Sequence, residues 1–253
     1  MICVISPSKA LDFERPSYDK NTELTFKSEC LQLSKTMKKQ SVEDIRGLMK
    51  VSENIATLNH QRYQDFSKDF VEPQAKTAIR VFKGEVYNGL DALSFSDEEL
   101  EFSQSKVRIL SGLYGLVKPL DLIQAYRLEM GIPLKHKSYT NLYEFWGNKI
   151  TKALNKDLKE QEHPCLINLA SKEYFKSIKV KELNAPLINV NFKDNKNGVY
   201  KIIAIYAKKA RGMMARYIVQ EKIQNPEHLK DFTLGGYQYN KDLSTESDWV
   251  FTR

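Results

Sequence analysis

Apolar residues along this chain fall into short, mainly apolar runs and into helical stripes, and the order of the two sets the expected fold. The runs are Ile2 to Ile5, Val107 to Leu110, Leu166 to Ala170 and Ile202 to Ala207. Runs of this length bounded by polar turn formers fit strands buried on both faces. Helical spacing fills the intervals: Ser28 to Lys39, Val42 to Met49, a helix opening at Glu53 with Ser52 as its cap, and one from Pro73 through Ala75, Ala78, Ile79 and Phe82. Ser96 caps a further helix led by Asp97-Glu98-Glu99, and two more run from Tyr143 to Leu158 and from Ala207 to Ile223, where Pro226 ends the pattern.

Leu187 to Phe192 and Tyr200 to Tyr206 flank Asp194-Asn195-Lys196-Asn197-Gly198, and Asn and Gly tolerate the positive φ of a tight hairpin. Two short aromatic strands are expected around Tyr237-Gln238-Tyr239 and Trp249-Val250-Phe251. The fold class is therefore α/β: one domain over residues 1–253, with a mixed β-sheet flanked by helices. No repeat, low-complexity stretch or interdomain linker divides it.

Composition removes several alternatives. Hydrophobic residues make up 42% and Gly plus Pro number only 19, which is the make-up of an ordinary folded chain rather than a disordered one. No apolar run approaches the roughly 20 residues of a membrane span, and the first residues enter a strand directly without signal-peptide features. A soluble cytoplasmic protein with no membrane partner is expected. Cys3, Cys30 and Cys165 lack CxxC spacing, and His60, His136, His163 and His228 lie far apart, so neither a disulfide framework nor a metal site is read here, and no cofactor is implied.

The net charge of +7 is unevenly placed: Lys172 to Lys222 holds 12 Lys or Arg against 4 Asp or Glu. That asymmetry suits a phosphate-rich partner such as duplex DNA. Each apolar run also ends in a cluster of Ser, Lys, Arg or Gly: Ser6-Pro7-Ser8-Lys9, Ser111-Gly112-Leu113-Tyr114-Gly115, Ser171-Lys172 and Lys208-Lys209-Ala210-Arg211-Gly212. If the runs are neighbouring strands pointing the same way, these loops converge on one basic crevice, where open α/β sheets bind ligands.

The candidate phosphate-binding residues are thus Lys9, Lys50, Ser52, Lys172, Lys208, Lys209 and Arg211. The candidate pocket residues are Ser6, Lys83, Ser111, Gly112, Tyr114, Arg127, Glu129 and Ser171. Lys172 and Glu173 are the candidate catalytic groups, since a cation beside a carboxylate keeps it available as a base. Arg127 and Glu129 alternate with apolar neighbours and so share a face of an extended segment, where they can pair. Ser6-x-x-Lys9 matches an acyltransferase spacing, but Pro7 and the strand-end setting fit a phosphate-grasping turn better. The glycines around Lys83 and Ser111 do not form a nucleotide-binding fingerprint. Leu48 to Ala56 has the outline of a helix-hairpin-helix, with Lys50 and Ser52 where glycines usually stand.

Ile5 to Asp12, Phe82 to Leu90, Leu110 to Gly115 with Pro119-Leu120-Asp121, Tyr126 to Gly131, Asn168 to Phe175 and Tyr206 to Gly212 together resemble the YaaA family of peroxide stress resistance proteins, from Met1 to the C-terminal aromatic strand. The resemblance implies a cytoplasmic protein of the peroxide stress response that limits damage linked to free iron. It further implies a single α/β domain with a positive cleft, a helix-hairpin-helix element and affinity for duplex DNA. An enzyme acting on a nucleotide or nucleobase in the strand-end pocket is the alternative, and neither catalytic activity nor oligomeric state is fixed by these residues.

Overall fold

The computed structural model describes residues 1–253. In chain order the elements are β1 (Ile2–Ile5), α1 (Lys27–Lys38), α2 (Val42–Met49), α3 (Glu53–Asp65), β2 (Ala75–Thr77), α4 (Ala78–Val81), α5 (Glu85–Leu90), α6 (Asp97–Lys106), β3 (Val107–Ser111), β4 (Gly115–Val117) and β5 (Leu122–Gln124). There follow α7 (Leu142–Trp146), α8 (Lys149–Lys159), β6 (Leu166–Asn168), α9 (Lys172–Phe175), β7 (Leu187–Lys196), β8 (Val199–Lys201), α10 (Ala204–Gln220), β9 (Gln238–Tyr239) and β10 (Asp248–Thr252).

Five strands run parallel in the order β3-β1-β6-β7-β10, and β4, β8 and β9 add antiparallel pairs. The sheet is mixed, as the hairpin required: Asn197 and Gly198 take φ of 56° and 79° between β7 and β8, the twist-matched form of a two-residue turn. Every residue of β1 is buried, because neighbours pair with it on both edges and helices cover both faces. One contiguous hydrophobic core joins the sheet to the helices. Ser96 opens α6 with a capping box, accepting from the Glu99 amide while the Glu99 carboxylate takes the Ser96 amide.

Three elements depart from the helix and strand pattern of the sequence. Ala75–Thr77 does not continue a helix from Pro73 but pairs antiparallel with β5, and only a single turn, α4, follows. The Tyr143 to Leu158 helix is two helices broken at Gly147, whose φ of 51° no helix interior accepts. The apolar run Ile202 to Ala207 is not a strand: β8 stops at Lys201, and Ile202, Ile205 and Tyr206 stay exposed as α10 begins. No neighbour strand lies beyond β8 to pair that run, so its backbone bonds are satisfied within a helix instead.

α10 packs on α5 with the backbones in contact. A Cβ on Gly212 would lie 1.8 Å from the carbonyl oxygen of Val86, and one on Gly89 would lie 2.1 Å from that of Lys209. Neither backbone atom can step aside as a flexible side chain could. Gly212→Ala should therefore cost at least about 1–3 kcal/mol of stability, the usual range for overpacking. Gly47, in the exposed interior of α2 with nothing within 4 Å of a Cβ, is the opposite case. Gly47→Ala should raise stability by about 0.5–1 kcal/mol through helix propensity. Denaturant melts of both variants check the pair.

Asp121 is wholly buried in the loop before β5, accepting from the Thr22 hydroxyl at 2.6 Å and the Lys118 amide at 2.8 Å. Burial pushes its carboxyl up from 3.8 to about 6 despite these bonds. The folded state then holds this proton more tightly than the unfolded chain between those two pH values, so Asp121 favours folding below pH 4 and opposes it increasingly as pH rises through 6. The stability difference between wild type and Asp121→Asn should shift against the wild type across pH 4–6, and a constant difference over that window would contradict the assignment.

Candidate functional site

The connection from β1 leads to β3 on one side, and that from β6 leads to β7 on the other, so the carboxyl ends of β1 and β6 flank the point where the sheet changes direction. Ligands of open α/β sheets bind at such points. Here two strand-end serines meet: the Ser171 amide donates to Ser6 Oγ at 2.9 Å. The Tyr87 hydroxyl, carried by α5, donates to the Ser6 carbonyl at 3.1 Å. Thus the buried strand β1 ends in polar groups supplied from two other elements.

The segment from Tyr126 to Gly131 lies over these ends. Glu129 is 8% exposed, and its Oε1 receives Lys9 Nζ at 3.1 Å together with Arg127 Nε and Nη2 at 3.2 and 3.0 Å. Its Oε2 is buried and has no hydrogen-bond partner in the protein. An unsatisfied buried acceptor costs on the order of 1–3 kcal/mol, and more for a charged group. Two residues on, the Gly131 amide donates to Glu173 Oε1 at 3.0 Å, while Tyr143 OH donates to the Glu173 carbonyl at 2.9 Å. Glu173 therefore fastens the loop, and Lys172 beside it is exposed with no ion-pair partner. Tyr126 and Tyr174 are buried in the same region, and burial, helped by the charge of Glu129, pushes both phenols well up, so they stay neutral.

Lys9, Arg127, Glu129, Ser6, Ser171, Lys172 and Glu173 are thus gathered at the ends of β1 and β6. Other residues singled out in the sequence lie elsewhere. Ser111 is buried, sharing a 2.7 Å hydrogen bond with Tyr126 OH and accepting from the Tyr114 amide. Tyr114 is buried with its hydroxyl bonded to both backbone groups of Gln124. Gly112 has no room for a Cβ, which would meet the Leu128 carbonyl at 2.3 Å. These three pack the loop from beneath. Lys83 pairs with Asp12 at 3.0 Å, and Arg15 reaches the same carboxylate at 3.3 Å.

Lys208, Lys209 and Arg211 do not follow a strand, since they sit within α10, so the strand-end argument does not reach them. Lys208 and Lys209 are exposed, whereas Arg211 shares the helix face of Ala207, Ala215 and Ile218 with its Nε buried and unpartnered. Lys50 and Ser52 form the corner between α2 and α3, with Lys50 in the left-handed conformation at φ 51°. That corner is remote from the strand ends. Tyr63, whose hydroxyl reaches the Arg127 carbonyl, is 11 residues along α3 from Ser52, roughly 16 Å at helical rise.

A second basic feature escaped the sequence reading. Lys35 on α1 and Lys39 just past its end face Lys135 and Lys137 across a cleft of about 480 Å³, with Gln32, Thr36, Gln40 and His136 completing it. No carboxylate lines this cleft and none of its four lysines enters a salt bridge. The i, i+4 spacing of Lys35 and Lys39 was the available signal, but it reads equally as a solvated helix face until the Lys135 loop is placed opposite.

Residues 1–243 match the family model described as peroxide stress protein YaaA. The chain is 54% identical to a UPF0246 protein of Colwellia psychrerythraea, covering 100% of this chain and 99% of the relative. It is 50% identical to one of Aliivibrio fischeri, covering 100% and 98%, and 48% identical to one of Acaryochloris marina over the full length of both. The chain belongs to the peroxide stress protein YaaA family. Membership joins it to peroxide stress, so its thiols become the first chemical question.

All three cysteines are free and buried. Burial pushes Cys3 up to about 12, Cys165 up to about 11, and Cys30 well above its ordinary value. The thiolate is the nucleophile that attacks peroxide, and at neutral pH these side chains are thiols. Their burial and protonation make them poor consumers of peroxide. The folded protein should show no fast-reacting thiol toward a disulfide reagent at pH 7, and three after denaturation, and one rapidly titrating native thiol would contradict the burial argument.

No group of three or more His, Cys, Asp or Glu is arranged to hold a metal ion, and no helix is long and apolar enough to cross a membrane.

Proposed function

We propose that this member of the YaaA family acts in peroxide stress by binding duplex DNA through backbone phosphates in the cytoplasm, limiting iron-linked damage to it. The observation that carries the reading is the cleft between α1 and the Lys135 loop, where four lysines meet no carboxylate. Such an unopposed cluster raises the local anion potential, and neutralising phosphates with it releases condensed counterions. The α2–α3 corner lies along the same helical layer. His60 of α3 bonds the Gln40 carbonyl at the cleft rim, eight residues and roughly 12 Å from Ser52. At that corner Lys50 is exposed, and the Ser52 side chain does not cap α3, so the first amides of the helix face solvent.

Binding of this kind should be sequence-tolerant and strongly dependent on salt. Lys39→Glu and Lys50→Glu should each weaken duplex binding and make the plot of log affinity against log salt shallower by about 0.9 for each phosphate no longer neutralised. Fluorescence anisotropy over a salt series measures both quantities. Unchanged affinity and slope in Lys39→Glu would remove the cleft from the interface, and the same result in Lys50→Glu would remove the corner.

A second reading, an enzyme acting on a nucleotide or nucleobase at the strand ends, is favoured by one observation. Glu129 is a buried carboxylate beside Lys9 and Arg127 at the switch point of the sheet, and a surface that only tracks phosphates has no use for a carboxylate there.

A further inference from the structure

We propose that Glu129 is the recognition carboxylate of a small-ligand site at the carboxyl ends of β1 and β6, accepting an N–H from the base of a nucleoside monophosphate whose phosphate lies against Lys9 and Lys172. It deepens the second reading above by naming the ligand class, and it requires binding but no turnover.

The geometry around Glu129 is not that of a structural latch. An arginine that only locks a carboxylate usually spreads its fork over both oxygens. Here Arg127 places Nε and Nη2 on Oε1 alone, Lys9 adds a third donor to the same atom, and Oε2 is buried with no partner. A carboxylate only accepts, so the group that completes Oε2 must be a donor, and a phosphate cannot serve. A base with an amino or imino N–H can.

The cations set the other half of the ligand. Lys9 is held to Glu129 by one contact, while its side chain is 64% exposed, so its ammonium can turn to an incoming anion without unpacking anything. Lys172 is exposed and unpaired, and its neighbour Glu173 binds the Gly131 amide two residues from Glu129. Lys172 and Glu129 therefore lie on segments that this bond holds together. Tyr126 and Tyr174 are buried in the same region, with the Tyr126 hydroxyl bonded to Ser111 beneath the loop. An N–H donor joined to a phosphate describes a nucleotide.

The test is calorimetric titration of the full chain with GMP, AMP, CMP and UMP, with inorganic phosphate in parallel. At least one nucleotide should bind with a Kd below about 1 mM and at least about tenfold more tightly than phosphate. Glu129→Gln, which keeps the side-chain shape, should weaken that nucleotide by about tenfold or more. Lys9→Met leaves Glu129 in place and should weaken the monophosphate but not its nucleoside, so it tests the site even if Glu129→Gln folds poorly. No binding by any of the four, phosphate binding as tightly as the nucleotide, or full affinity in Glu129→Gln would each overturn the proposal. Lys50→Glu should leave nucleotide affinity unchanged, which separates this site from the DNA surface, and binding without consumption of the nucleotide supports the site while ending the enzyme reading.

Discussion

The molecule is organised around the end of one buried strand. β1 is enclosed on both edges and both faces, so where it stops, its polar groups must be met by other parts of the chain rather than by water. Tyr87 meets the Ser6 carbonyl, and the Ser171 amide meets the Ser6 hydroxyl. Tyr87 reaches that point because α5 lies flush on α10, and it lies flush because Gly89 and Gly212 carry no Cβ. The same requirement that closes the strand brings the β6 loop and the Tyr126 to Gly131 segment to the switch point, and the candidate small-ligand site is a consequence of that closure.

Positive charge is used in two different ways. At the strand ends Lys9 and Arg127 surround a buried carboxylate, an arrangement that would suit a small partner read by donors and acceptors. In the cleft beside α1 the lysines stand together without a counter-charge and with no buried acceptor among them beyond His136, an arrangement that suits repeated phosphates. α3 ties the two regions, since its last turns touch Arg127 through Tyr63 and its middle touches Gln40 through His60. The segment from Arg127 to Lys137 supplies residues to both, so a ligand at one site and a ligand at the other would press on the same stretch of backbone.

Local sequence was enough wherever a short stretch of chain settles its own conformation. The strands at Ile2, Val107 and Leu166, the cap at Ser96, the Asn197-Gly198 turn, the α2–α3 corner and the pairing of Arg127 with Glu129 depend on side-chain alternation, turn chemistry and neighbours two to four residues away, and all are present. Tertiary structure alone decided the rest. Ala75–Thr77 became a strand because β5 is there to pair it, Ile202 to Ala207 became helix because no strand lies beyond β8, and Gly147 broke a helical stripe with one left-handed residue. Among the site residues, sequence could name Ser111 and Tyr114 as polar but not as buried, and could name Lys35, Lys39, Lys135 and Lys137 as charged but not as facing one another. The physical reason is one of range: propensity, capping and periodicity act within a turn or two of chain, whereas the closure of β1 and the two clusters of charge are made by residues up to 165 positions apart.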